Sequence, residues 1–128
     1  MNCLIFGAGG YLGIPICEAL AARGHFVVAC DRWYFGKKPH PNLVDDKIGI
    51  GIITADIRTV NLAMPGIPFG MEEPFDAVID LAGLSNDLSA EIDPELTRSI
   101  NIEGGKRLAT LSKQAGVRKY VYSSSASV

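Results

Sequence analysis

The stretch that most constrains this chain is a glycine-rich turn between an apolar strand and a helix. It reads Gly7-Ala8-Gly9-Gly10-Tyr11-Leu12-Gly13. Cys3-Leu4-Ile5-Phe6 before it is short and apolar, as a buried strand is. Ile14 to Arg23 after it is rich in Ala and Leu, as a helix is. Within the pattern G-x-x-G-x-x-G each glycine has its own task. Gly7 permits the tight turn out of the strand, Gly10 lets an anion approach the main chain without meeting a Cβ, and Gly13 lets the helix pack close to the sheet. The N–H groups at the helix start, with the helix dipole behind them, then face a pyrophosphate. The commoner G-x-G-x-x-G begins at Gly7 but fails at Leu12. A glycine triplet alone would be an ordinary tight turn; the order strand, turn, helix is what points to a dinucleotide cradle.

The rest of the chain alternates strands with helices or loops. The first strand is read over Asn2 to Phe6 and the first helix over Tyr11 to Arg23, with Pro15 tolerated near its start and Gly24 as its cap. Phe26 to Cys30 is the second strand, followed at once by Asp31. Arg32 to Lys47, rich in Pro, Gly, Lys and Asp, reads as a loop, with Trp33, Tyr34 and Phe35 as loop packing rather than a stacking platform. Ile48 to Ala55 is the third strand, and a short helix is expected over Thr59 to Met64 before a Pro/Gly connector. Phe75 to Leu81 is the fourth strand. Pro94 to Ala115 is the longest helix, with Leu96, Ile100, Leu108 and Leu111 at helical spacing, and Val117 to Ser123 is the fifth strand. The apolar runs are continuous rather than alternating, which fits strands covered on both faces. The order predicts an α/β fold in one domain over residues 1–128: a Rossmann-type, doubly wound parallel sheet of five strands ordered 3-2-1-4-5.

Composition excludes several function classes. With 48% apolar and 20% charged residues the chain is globular, and a net charge of −2 gives no electrostatic footprint for nucleic acid or an anionic membrane. No apolar run approaches the ~20 residues of a membrane span. Met1 leads straight into the first strand, leaving no room for a signal peptide. Cys3, Cys17 and Cys30 are odd in number and lie among apolar neighbours, so reduced thiols in a cytoplasmic core are expected. No Cys/His spacing suits a metal, and the isolated His25 and His40 are given no role.

Several polar residues stand where strands end. Asp31 lies 18 residues beyond Gly13, where a carboxylate accepts hydrogen bonds from an adenosine ribose. That carboxylate would repel a 2′-phosphate, so NAD is favoured and NADP is the less favoured cofactor. Arg32 bears on this choice, because its guanidinium could hold a 2′-phosphate, pack beside the adenine or simply be solvated. Asp56 could accept from the adenine amino group with Ile57 packing on the base, or it could cap a helix. Leu81-Ala82-Gly83-Leu84 offers small residues at a strand end, letting a ligand lie against the main chain, or it is an ordinary turn. Asn101, an amide amid apolar residues, either bonds to the main chain of a neighbouring strand end or faces solvent. In Ser123-Ser124-Ser125 a hydroxyl could bond a substrate oxygen at a carbonyl centre, although a serine run is often a polar turn.

Together these blocks resemble the extended short-chain dehydrogenase/reductase family, in particular its NAD-dependent sugar-nucleotide epimerases and dehydratases. The resemblance spans essentially the whole chain. It is carried by the glycine turn, Asp31-Arg32, Asp56-Ile57-Arg58, Leu81-Ala82-Gly83-Leu84, Asn101-Ile102-Glu103-Gly104 and Tyr122-Ser123-Ser124-Ser125-Ala126-Ser127-Val128. It implies main-chain contacts from Tyr11 and Leu12 to the pyrophosphate, with Asp31 at the ribose and Asp56 and Ile57 at the adenine. It further implies residues 81–84 on the nicotinamide side, Asn101 as a brace, and Ser125 as the catalytic hydroxyl. Phe6 and Gly105 stand where Thr is usual in the family, and Asp80 where His is usual. The family's Tyr-x-x-x-Lys is expected beyond Val128, so the chain is read as the cofactor-binding portion of a longer enzyme, inactive by itself. A nucleotide-sugar substrate follows for the whole enzyme, and a homodimer through the Pro94 to Ala115 helix is compatible with it. Two alternatives stay open: a non-catalytic dinucleotide sensor of the same fold, and a reductase of small carbonyl compounds.

Overall fold

A computed structural model describes residues 1–34, 49–62, 75–84 and 92–124. Its centre is β1 (Asn2–Phe6), with β2 (Phe26–Asp31) on one side and β4 (Ala77–Asp80) on the other. Outside these lie β3 (Ile50–Thr54) next to β2 and β5 (Lys119–Tyr122) next to β4, all parallel, in the order β3-β2-β1-β4-β5. The predicted sheet order is the one observed. Helix α1 (Gly13–Ala22) follows β1; α2 (Pro94–Arg98), a π turn (Ser99–Gly104) and α3 (Gly105–Gln114) run on from one another between β4 and β5.

The continuous apolar runs divide between two cores. Leu4 and Phe6 of β1 join Val28, Cys30, Val78 and Leu108 on one face. Ile5 joins Val27, Ala29 and Cys17 of α1 on the other. Alternate side chains of one strand point to opposite faces, so a strand covered twice must be apolar at every position. Leu4, Ile5, Val27, Val28 and Val78 have no solvent exposure at all.

Registers align the strand ends. Phe6 pairs with Cys30 and Asp80, Asp31 with Thr54, and Asp80 with Tyr122. The chain leaves β1 toward β2 on one side and reaches β4 on the other. A crevice therefore opens at the carboxyl end of β1, where ligands bind in such sheets.

Several boundaries differ from those read in the sequence. Helix α1 starts at Gly13 rather than Tyr11, because Gly13 and Ile14 N–H both donate to Gly10 O in a turn that precedes the regular helix. In β3, Gly49 has φ +69°, outside strand geometry, so regular pairing starts at Ile50; Ile48 lies outside the described residues. Of the short helix expected over Thr59 to Met64, residues 59–62 are not helical: Thr59 and Val60 N–H close on Asp56 O in a turn, and residues 63 and 64 lie outside the described residues. β4 and β5 are each trimmed at both ends. The long helix is interrupted by its π turn, which shifts the buried positions to Gly104, Leu108 and Ser112 and leaves Leu96 at the surface. Asp93 caps its start by accepting from Leu96 N–H at 2.9 Å, with Pro94 in the first turn.

Candidate cofactor site

The crevice is built from the glycine turn upward. Gly7 has φ +77°, and a Cβ there would lie 2.7 Å from the carbonyl carbon and oxygen of Leu81 and 2.8 Å from Ala82 N. The turn after β1 thus packs main chain to main chain against the end of β4. A Cβ on Gly13 would lie 2.3 Å from Gly7 O and 2.5 Å from Ala8 O, so the helix start can be this close only with glycine. At Gly10 the nearest atom to a built Cβ is Gly7 O at 3.3 Å, and the residue is otherwise open to solvent. Tyr11 is 95% exposed and Leu12 also projects outward, so what they offer the crevice is main chain. Among the described residues neither of their N–H groups takes part in a main-chain hydrogen bond. A helix start with open donors and no Cβ in the way has the shape and polarity a pyrophosphate needs.

Asp31 ends β2 and faces this turn. Its Oδ2 accepts from Gly9 N–H at 2.9 Å, and its Oδ1 from Trp33 N–H at 2.8 Å. Both bonds fix the carboxylate at the cleft wall, which also includes Gly10, Arg32 and Trp33. Trp33 does more than loop packing. It has φ +56°, its indole N–H donates to Ile53 O at 3.3 Å, and its ring fills the space a Cβ on Gly9 would need, 2.9 Å from that position. The sequence signal for it was the aromatic run after Asp31, together with Gly9, which the spacing pattern does not require.

Asp56 follows β3 and is 9% exposed. It accepts from Arg58 N–H at 2.8 Å, from Arg58 Nε at 3.0 and 3.1 Å, from Arg58 Nη2 at 2.6 Å, and from Arg32 Nη1 at 2.6 Å. The hydrogen bonds from Arg58, with both arginine charges nearby, hold its carboxyl at about 2, against the opposing effect of burial. Asp56 also closes the turn through its main-chain oxygen. Ile57 is buried against the π turn, where a Cβ on Gly104 would lie 2.7 Å from Ile57 Cγ2. Arg107 donates to Val60 O, tying the same segment to α3. The part of Arg58 was not assigned from sequence; its signal was an arginine two residues after a strand-end Asp, the spacing of a side-chain-closed turn.

The far wall is residues 81–84. Leu81 N–H donates to Phe6 O at 2.9 Å. Asn101, on the π turn, pairs with the main chain of Leu84 on both sides: Oδ1 accepts from Leu84 N–H at 2.9 Å and Nδ2 donates to Leu84 O at 3.0 Å. A Cβ on Gly83 would lie 3.3 Å from Asn101 Oδ1. Beneath this wall Asp80, 1% exposed, accepts from Ala82 N–H at 3.1 Å and Tyr120 O–H at 2.8 Å. Burial raises the Asp80 carboxyl above its ordinary range, and burial with the Asp80 bond pushes the Tyr120 hydroxyl up as well. Ser123 N–H donates to Asp80 O at 3.0 Å, and Ser125 lies outside the described residues.

The structure thus brings the glycine turn, Asp31, Arg32, Asp56, Ile57 and residues 81–83 to one cleft, with Asn101 behind its far wall. Among the described residues no three His, Cys, Asp or Glu side chains are grouped as a metal would need. The three cysteines are buried thiols without disulfides. No helix among the described residues is long and apolar enough to cross a membrane.

The model of the NAD dependent epimerase/dehydratase family matches residues 3–128. The chain belongs to that family. It is 29% identical over 127 residues to a UDP-glucose 4-epimerase of Mycolicibacterium smegmatis, covering 98% of this chain and 39% of the relative. It is 34% identical over 130 residues to a 3-beta-hydroxysteroid dehydrogenase of Mycolicibacterium neoaurum, covering 98% and 32%. Among solved structures, MoeE5 in complex with UDP-glucose and NAD superposes with a TM-score of 0.79 at 26% identity, over all of this chain and 38% of that one. The chain therefore spans roughly a third to two-fifths of the length of these relatives.

Proposed function

We propose that this chain is the cofactor-binding portion of an enzyme that oxidises a hydroxyl of a nucleotide-linked sugar and then reduces the product again, giving net epimerisation or dehydration. The observation that carries the reading is the cradle itself. Side-chain bulk is absent at Gly7 and Gly13 where a Cβ would collide with main chain, and main-chain N–H groups stand open beside a fixed Asp31. These residues fit NAD. When bound, NAD supplies the acceptor for a hydride from the sugar carbon and gives it back after rearrangement.

On this reading the chain's own residues bind and orient. Main-chain N–H groups of Tyr11 and Leu12, with Gly10 between them and the sheet, take the pyrophosphate. Asp31 takes the ribose hydroxyls, while Asp56, Ile57 and Arg32 frame the adenine end. Leu81, Ala82 and Gly83 offer their main chain to the other half of the cofactor, and Asn101 holds that wall in place through Leu84. Ser125 bonds the reacting sugar oxygen. The proton of that oxygen goes to a base outside these 128 residues, by the family resemblance the tyrosine of a Tyr-x-x-x-Lys. Support comes from the family match and from the UDP-glucose 4-epimerase relative.

The test is a titration of NAD and NADP into the chain, with saturable NAD binding expected; no binding of either at millimolar cofactor would overturn the reading. A second reading, oxidation of a steroid hydroxyl, is favoured by the 34% identity to the hydroxysteroid dehydrogenase. Assaying the product of the whole gene on UDP-glucose and on a 3-beta-hydroxysteroid separates the two.

A further inference from the structure

Arg32 stands one residue past Asp31 and lines the same cleft. Its guanidinium is turned elsewhere. Nη1 donates to Asp56 Oδ2 at 2.6 Å, and the guanidinium carbon lies 4.8 Å from the centre of the Tyr34 ring. Arg58 binds the same carboxylate, its Nη2 donating to the same Oδ2 at 2.6 Å. The side chains of Arg32 and Arg58 are 42% and 32% exposed, whereas that of Asp56 is 10% exposed, so the anion is the anchored member and the arginines gather on it. Asp31 differs. Its described partners are the two main-chain N–H groups of Gly9 and Trp33, and it forms no ion pair among the described residues. Asp31 is thus a carboxylate with no ion-pair partner among the described residues, while the neighbouring Arg32 is tied to Asp56.

We propose that Asp56 sets the chain's preference for NAD over its 2′-phosphorylated form by holding Arg32 away from the ribose edge that Asp31 occupies. A 2′-phosphate brings a charge of about −1.5 to −2. Beside Asp31 it needs a guanidinium in bidentate contact to be tolerated. With Arg32 committed to Asp56 and to the Tyr34 ring, that contact would have to be taken from an existing charge-assisted bond. Asp56 acts through Arg32, so it is a positioning residue for cofactor choice. The proposal rests on the reading that this cleft takes NAD with Asp31 at the ribose.

Trp33 is the only tryptophan of the chain and lies in the cleft wall, so energy transfer from it to a reduced nicotinamide reports binding without any turnover. NADH and NADPH are titrated into the wild-type chain, Asp56→Asn, Arg32→Ala and the double variant. Wild type is expected to prefer NADH. Asp56→Asn should narrow that preference about tenfold or more, the worth of one charge-assisted hydrogen bond, and removing Arg32 as well should restore it. Arg32→Ala alone should leave the preference unchanged, because Arg32 does not serve the phosphate in the native arrangement. An unaltered preference in Asp56→Asn, or its persistence at the narrowed value in the double variant, overturns the proposal. So does a selective loss of NADPH affinity in Arg32→Ala, which decides the matter even if Asp56→Asn fails to fold. Failure of wild type to bind NADH overturns the cofactor reading itself, and this proposal with it. A purely structural role for Asp56 would weaken both cofactors equally and leave their ratio where it was.

Discussion

Replacing Gly7 by Ala tests the main-chain contact on which the cleft is built. Two costs are separable. The first is conformational: at φ +77° a side chain costs about 1–2 kcal/mol. The second is steric: a methyl 2.7 Å from Leu81 C and O forces two main-chain segments apart, at about 1–3 kcal/mol for overpacking. Neither neighbour is a flexible side-chain tip that could swing away. The sum, about 2–5 kcal/mol, is a large part of the roughly 5–15 kcal/mol by which a domain of this kind is stable. It lowers the melting temperature by roughly 8–20 °C. Two other glycines isolate the terms. Gly24 has φ +79° and nothing within 4 Å, so Gly24→Ala should cost only the conformational part, about 1 kcal/mol. Gly13 has no positive φ but a Cβ there would sit 2.3 Å from Gly7 O, so Gly13→Ala should show the steric part. Urea unfolding followed by circular dichroism gives all three on one scale. If Gly7→Ala cost no more than Gly24→Ala, the close approach of the β1 turn to Leu81 and Ala82 would be refuted.

Three further outcomes are expected. Asp80 has its carboxyl raised by burial, so its contribution to stability is complete below the ordinary 3.8 and is lost as pH rises through the raised folded value. Asp80→Asn should therefore be neutral or stabilising near neutral pH and flatten the fall in stability above 3.8, as thermal melts across a pH series would show; marked destabilisation near neutrality would mean the ionised form is the favoured one. Asn101→Ala removes both bonds to the main chain of Leu84 and should cost about 1–3 kcal/mol by urea unfolding, with weaker cofactor binding as well. Burial pushes the Cys17 and Cys30 thiols up to about 12, so native protein should resist a thiol reagent that labels all three cysteines in urea; fast labelling of Cys17 or Cys30 in the folded chain would contradict the packing described.

The strands could be read in the sequence because their signal is local, and their order because alternating strands and helices with right-handed crossovers leave few arrangements. A doubly covered strand is apolar at each successive position, and a glycine turn between strand and helix has few other uses. Asn101 stood out for a similar reason, as an amide among apolar neighbours. The π turn carrying it left no such mark, since one extra residue in a helix disturbs the apolar spacing too little to notice. Residues 59–62, where the sequence predicts the start of a helix, are instead a turn in a segment held from afar: Ile57 packs on Gly104 and Val60 O accepts from Arg107, residues more than forty positions away.

What the sequence alone determined is where a gap in side-chain bulk lies and which strand ends converge on it. The first is set by glycines close together in the chain, and the second follows from the alternation of strands and helices with right-handed crossovers. What only the tertiary structure decided is how each polar group near that gap is spent: Asp31 on two main-chain N–H groups, Asp56 on two arginines, Asp80 on Tyr120. A carboxylate's partner is chosen by distance in space and by how much solvent is left around it. Neither is written in the spacing of the residues along the chain.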